Sequence, residues 1–288
     1  MPLLKKNSYN TNIARMFRDR LLADNLYLFF GRTAVWTDEN SPETPTEDIT
    51  YEFETRGNML GLKKVSQANT AFVVPRYTWN TGTVYAEYDA NDANLKTKAF
   101  YVINRNFNVY KCIDNNSGAN SIIEPLGTST SVVTTGDGYS WKFMYGLSSA
   151  MQIDFLTNDW LPVPTGGQKN TFQTTVENNA VYANGSPVGG HGFSAYEELF
   201  SDSVMVSQSL DKSESGVFPT DIAYRQYGLL LNPRLISDNT LATGNVYSLN
   251  DSNASVDHNS GSLLYVNNRQ SMSRSADQAE AFKIILKI

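Results

Sequence analysis

Apolar positions in this chain recur mostly at a period of two, the spacing of half-buried strands, and at helical spacing only in places. Near the N-terminus Ile13, Met16, Phe17 and Leu21 form one stripe and Arg15, Arg18 and Asp19 face away, which predicts a helix from Asn12 to about Ala23. "LYLFFGRTAVW" then reads as a strand broken at Gly31, and "TDENSPETPTED" as an acidic, proline-punctuated, solvated loop. A second helix is expected over Glu52 to Gln67, although Gly57 and Gly61 each weaken it by about 1 kcal/mol relative to alanine.

From Thr70 to Tyr145 the alternation predicts six strands: "TAFVV", "TVYAEY", "AFYVI", "FNVYKCI", "SVVTT" and "YSWKFMY". The polar spacer "NRN" makes a hairpin of "AFYVI" and "FNVYKCI". Ser148 or Ser149 caps a short helix, and "DWLPVP" leaves it extended. Residues 165 to 220 are rich in Gly, Ser and Asn and read as loops with the small elements "FQTTV", "AYEELF" and "SVMVS". "IAYRQYGLLL" and "SLLYV" are strands. In "AFKIILKI" Phe282, Ile284, Leu286 and Ile288 alternate with lysines, as in a half-buried strand.

Composition narrows the class. With 288 residues the chain can bury about three quarters of its unfolded surface. A net charge of -6 argues against nucleic-acid binding through phosphate neutralisation. The longest apolar runs are about a quarter of a bilayer span, so no membrane partner is expected. One cysteine, Cys112, allows no internal disulfide and fits folding in a reducing cytoplasm.

Candidate chemistry is sparse. "TTGDGYSWKFMYGL" suggests a phosphate loop, but that motif needs a third glycine and a following helix. Here Tyr139, Trp141, Phe143 and Tyr145 follow at period two, so Asp137-Gly138 is a hairpin turn that launches an aromatic strand. His191 and His258 lie far apart in loop-like surroundings with no cysteine near, which predicts no metal site. "DNNSGANSIIE" lacks the register of a calcium loop and reads as a run of Asx-turns. No G-x-S-x-G elbow is present, and Cys112 sits in a strand as a buried, inert thiol. No catalytic residue, cofactor or small-molecule substrate is expected.

Six motifs stand in a recognisable order: "LYLFFGRTAVW", "VVPRYTW", "FNVYKCIDNN", "GDGYSWKFMYGL", "YRQYGLLLNP" and "LLYVNNRQSMSRSADQAEAFKIILKI". Together they resemble the baseplate wedge subunits of T-even-like contractile-tailed bacteriophages, the gene product eight family. The segment 165 to 261 matches only patchily, and Gln270 and Ser271 replace the family's prolines. The resemblance implies an α+β, β-rich fold, a layered β-α-β sandwich with a few short helices and long polar loops. It implies a single subunit over residues 1–288, with a loop-rich excursion at about 165–220. It also implies a virion tail-baseplate protein, assembled in the host cytoplasm, that forms a homodimer and binds other wedge proteins without enzymatic activity. The alternative is a carbohydrate-binding tail protein with exposed aromatic platforms.

The residues expected to build the scaffold are Gly31, Arg32 and Trp36 after the first strand, then Pro75, Arg76 and Trp79, and Tyr110. They continue with Asp137, Gly138, Tyr139 and Trp141 at the hairpin, and Asn268, Arg269 and Gln278 framing a terminal strand pair. Arg76 and Arg269 are expected to have carboxylate partners.

Overall fold

The computed structural model describes residues 7–89, 92–165, 199–210, 223–235, 246–248, 256–272 and 280–287. "FQTTV", the first four residues of "AYEELF", His191 and Gln278 lie outside the described residues, and Leu199 and Phe200 of "AYEELF" form a turn. The fold is α+β and β-rich, with antiparallel sheets throughout the paired strands. The chain divides into two compact units. One comprises Met1–Arg15, Ala71–Met205 and Ile285–Ile288; the other comprises Met16–Thr70 and Val206–Ile284.

Helix α1 (Asn7–Ala23) starts earlier than its apolar spacing predicts, and its buried stripe is rotated, keeping Leu21 buried and Ile13 and Phe17 half-buried. Thr11, Ala14, Arg18 and Leu21 are covered, whereas Met16 is 66% exposed. Arg18 is buried because Thr70 satisfies it: Nε donates to the Thr70 hydroxyl at 3.0 Å and Nη2 to the Thr70 carbonyl at 3.4 Å. Small Thr11 and Ala14 replace Met16 on the covered face.

In the second unit β1 (Leu26–Gly31) is buried along its whole length at the centre of a sheet. The sheet runs β12 (Val246–Ser248), β2 (Met59–Lys64), β1, β10 (Tyr224–Leu231), β14 (Ser262–Met272). The long helix expected over 52–67 is instead α2 (Ile49–Gly57) followed by β2. Asp48 caps the helix by accepting from the Thr50 amide at 2.8 Å, and the chain turns at Asn58. From Met59 onward, pairing with β1 on one side and β12 on the other decides the conformation, and it outweighs any local helical period. Tyr27, Phe29, Met59, Leu62, Leu230 and Val256 form the core of this unit.

In the first unit the expected "NRN" hairpin forms between β4 (Tyr101–Ile103) and β5 (Asn108–Asp114), with Val102 opposite Tyr110. The sheet continues through β7 (Ser140–Gly146) to β6 (Val133–Thr134). "TVYAEY" is not a strand; only Thr83 bridges, to Ser121. Strict alternation along β7 ends at a bulge, because Tyr110 lies opposite Phe143 but Val109 lies opposite Tyr145. Tyr139, Trp141 and Phe143 therefore join Tyr85, Tyr110 and Cys112 in one cluster, while Met144 and Tyr145 join Phe72, Phe100 and Tyr101 in another.

Ser148 caps α3 (Ser149–Phe155) as expected. A further sheet runs β15 (Glu280–Lys287), β9 (Ser203–Leu210), β3 (Thr70–Pro75), β8 (Trp160–Val163). β15 buries Phe282 and Ile284 as its alternation predicts. The expected terminal strand pair does not form: β14 pairs with β10, and β15 belongs to the sheet of β9.

Candidate functional site

The Asp137-Gly138 turn braces a loop. Gly138 has φ +84°, a conformation that L side chains resist, and its amide closes the turn on the Thr135 carbonyl at 2.9 Å. Asp137 Oδ2 accepts from the amides of Ile122 (2.8 Å) and Ile123 (2.9 Å) and from the Ser121 hydroxyl (3.3 Å). Its Oδ1 accepts from the Thr135 hydroxyl at 2.5 Å. Burial alone would raise this carboxyl, but these hydrogen bonds outweigh it and hold it at about 2.

The aromatic cluster behind the turn grips the same loop with its polar tips. Tyr139 stacks on Trp141 (ring centroids 5.4 Å apart) and donates to the Ala119 carbonyl at 2.5 Å. Tyr110 donates to the Gly127 carbonyl at 2.6 Å, and the Trp79 indole to the Ser121 hydroxyl at 3.1 Å. Burial, then the charges of Glu87 and Asp114, pushes the Cys112 thiol up to about 12, so it carries no nucleophile at neutral pH.

This bracing holds aliphatic side chains in solvent. Ile122, Ile123 and Leu126 on the loop and Val132 and Val133 at β6 are all exposed. Glu124 is the sole charge between Ala119 and Gly136, and Arg105 pairs with it at 3.2 Å. The result is exposed aliphatic side chains near a sheet edge, with the Glu124–Arg105 pair and the amide-held Asp137 as the charges beside them.

Elsewhere in this unit Pro75 ends β3 and lends its carbonyl to the Tyr101 hydroxyl at 2.6 Å. Among the described residues Arg76 meets no carboxylate. It donates to the Thr157 carbonyl at 2.8 Å and the Thr78 hydroxyl at 3.2 Å, so it ties two loops together.

In the second unit the structure brings Gly31, Arg32, Trp36, Asn268 and Arg269 into one network. A Cβ on Gly31 would lie 2.2 Å from the Asn58 carbonyl oxygen, so only glycine fits where β1 and β2 shift register. Arg32 follows with φ +58°, and its guanidinium lies 3.7 Å from the Trp36 ring centroid. The Trp36 indole donates to the Arg269 carbonyl at 2.9 Å. Arg269 pairs with both oxygens of Glu280 and sits over the Tyr224 ring at 4.4 Å. Burial would lower its pKa, but the bond to Glu280 outweighs this and raises it. The carboxylate expected for Arg269 is therefore Glu280.

Several members of this network were not legible as site residues. Glu39 accepts from the Trp36 amide (2.9 Å), Arg225 Nε (2.6 Å) and the Ser271 amide (3.1 Å). Asn268 accepts from the Tyr51 hydroxyl at 2.9 Å and Gln226 Nε2 at 2.8 Å, and donates to the Glu43 carbonyl at 2.7 Å. Glu39 and Glu43 lie in the loop that composition marks as merely solvated. Beside this loop a cleft of about 330 Å³ opens between residues 45–52 and β14.

Among the described residues no three His, Cys, Asp or Glu side chains are grouped to hold a metal, and no helix is long and apolar enough to cross a membrane. What the geometry supplies is braced surface. The family described as Bacteriophage T4, Gp8 matches residues 114–288, more than half of the sequence. The chain belongs to the Bacteriophage T4 Gp8 family. The baseplate wedge protein gp8 of Enterobacteria phage T4 is 21% identical over 308 residues, covering 91% of this chain and 89% of that protein. The Gp8 match takes in the Asp137-Gly138 turn, Asn268 and Arg269, whereas Gly31, Trp36, Arg76, Trp79 and Tyr110 precede it.

Proposed function

We propose that this protein works by shape, as one subunit spanning residues 1–288 that pairs with a second copy and binds neighbouring wedge proteins without catalysing a reaction. As a Gp8 family member it is a structural component of a phage tail baseplate. The observation that carries the wedge reading is the similarity to the T4 wedge protein over nearly the whole of both chains.

For self-association we assign the aliphatic face of the first unit. A chain with net charge -6 repels its copy wherever carboxylates meet, and the two carboxylates at this face are already engaged, Glu124 by Arg105 and Asp137 by backbone amides. Its exposed edge strand is of the kind that seeks another chain. Light scattering of the full chain tests the assignment. A dimer is expected, and Ile122→Asp with Val132→Asp should give a monomer that melts as the parent does. Co-sedimentation with neighbouring tail proteins tests the rest. A monomer that binds none of them would end the reading.

The carbohydrate-binding alternative finds no tryptophan platform among the described residues; the exposed aromatics there are Tyr9, Phe53 and Phe107. None of the four tryptophans is exposed, and Trp36 and Trp141 are buried.

A further inference from the structure

We infer that the cleft beside β14 is a docking groove for a protein segment that carries lysine or arginine next to aliphatic side chains. The inference rests on reading the chain as an assembly component, and it names the chemistry of one neighbour. Pro45, Tyr51, Leu264, Tyr265 and Val266 give the cleft an apolar lining, and Glu47 and Glu52 add charge at its wall. Among the described residues β14 is an edge of its sheet, and Leu264 is 36% exposed. Helix α2 also leaves Ile49 and Phe53 exposed, at 68% and 67%.

Charge selects the occupant. Residues 37–54 contain Asp38, Glu39, Glu43, Glu47, Asp48, Glu52 and Glu54 and not one lysine or arginine. Glu39 is engaged by Arg225 and Glu52 by Arg56. Glu43, Glu47 and Glu54 are exposed and form no ion pair among the described residues. A second copy would bring the same carboxylates against them, and phosphates of nucleic acid or lipid would be repelled. A segment with aliphatic side chains for the lining and cations for these carboxylates is complementary on both counts.

Fluorescence anisotropy with a short labelled peptide of alternating leucine and lysine tests this on the full chain. Glutamate-for-lysine and serine-for-leucine versions serve as controls. Saturable binding of the first peptide alone is expected. The exposed-site double variant Glu43→Lys with Glu47→Lys should weaken it about tenfold or more, as should Leu264→Ser. Ile122→Asp should leave it unchanged. Equal binding of the glutamate peptide, or indifference to the charge-reversed variant, would overturn the inference. Light scattering of the same variants separates the two readings. If charge reversal at Glu43 and Glu47 abolishes a dimer, the groove belongs to a second copy and the inference fails. If the parent is a monomer yet binds the peptide in this pattern, self-association fails and the groove stands.

Discussion

The two units brace exposed loops with different physics. In the first, a stacked aromatic cluster does the holding, and its one important charge, Asp137, accepts from backbone amides. In the second, guanidinium groups pair with carboxylates among aromatic rings, Arg269 with Glu280 and Arg225 with Glu39. Aromatic area is indifferent to its partner's charge, whereas a partly desolvated ion pair fails when either member is lost. The faces follow the braces: one is aliphatic with its few charges engaged, the other acid-rimmed.

Removing area should cost most. Trp141 is 1% exposed and touches Tyr85 and Tyr139, so Trp141→Ala is expected to lower unfolding free energy by about 3–5 kcal/mol in urea melts. Next, Arg269→Met should cost about 3 kcal/mol, because it leaves Glu280, whose side chain is only 18% exposed, with the Tyr224 hydroxyl but without its cation. Adding Glu280→Leu should recover much of that loss. A double-mutant cycle that finds the two changes additive would show that the second unit, too, is held by area alone.

Gly138→Val comes third, at about 1–3 kcal/mol, since valine cannot relax at φ +84° and its Cβ would lie 2.6 Å from Asn116 Nδ2. Thermal melting checks it. Melting unchanged from the parent would mean that the turn is not what positions Ile122 and Ile123.

Local patterns in the sequence were read well where one face of one element decided the outcome. β1, β5, β7, β10 and the Asp137-Gly138 turn are of that kind, because period-two aromatics and a turn glycine leave little alternative. Outcomes set by a distant partner were not legible. Arg18 is buried because of Thr70, and β2 is a strand because β1 and β12 flank it. Glu39 and Glu280 look like surface acids until Arg225 and Arg269 are brought beside them. Among the residues expected to build the scaffold, whether an arginine finds a carboxylate, as Arg269 does, or a carbonyl, as Arg76 does, depends on chain tracing that no local pattern contains.

The smallest effect expected is in pH dependence, where His258 and Asp137 act in different windows. In the second unit His258 is held below its ordinary 6.5, first by burial and also by the Arg56 charge. The unfolded chain therefore binds a proton more readily, and the stability His258 contributes is full above pH 6.5 and falls away as pH drops through the folded value. In the first unit Asp137 is held at about 2 against an ordinary 3.8, so its contribution is full above pH 3.8 and is lost as pH falls through about 2. Acidification should thus weaken the parent first through His258 in the second unit and then through carboxylates of both units, Asp137 and Asp92 in the first and Glu39 in the second. Urea melts from neutral pH down to the acid limit should show His258→Gln abolishing the upper step and leaving the lower one. Asp137→Asn should leave the upper step and reduce the lower one, where Glu39 and Asp92 still contribute. Both substitutions flattening the same step would mean that the two braces titrate as one body rather than as separately built supports.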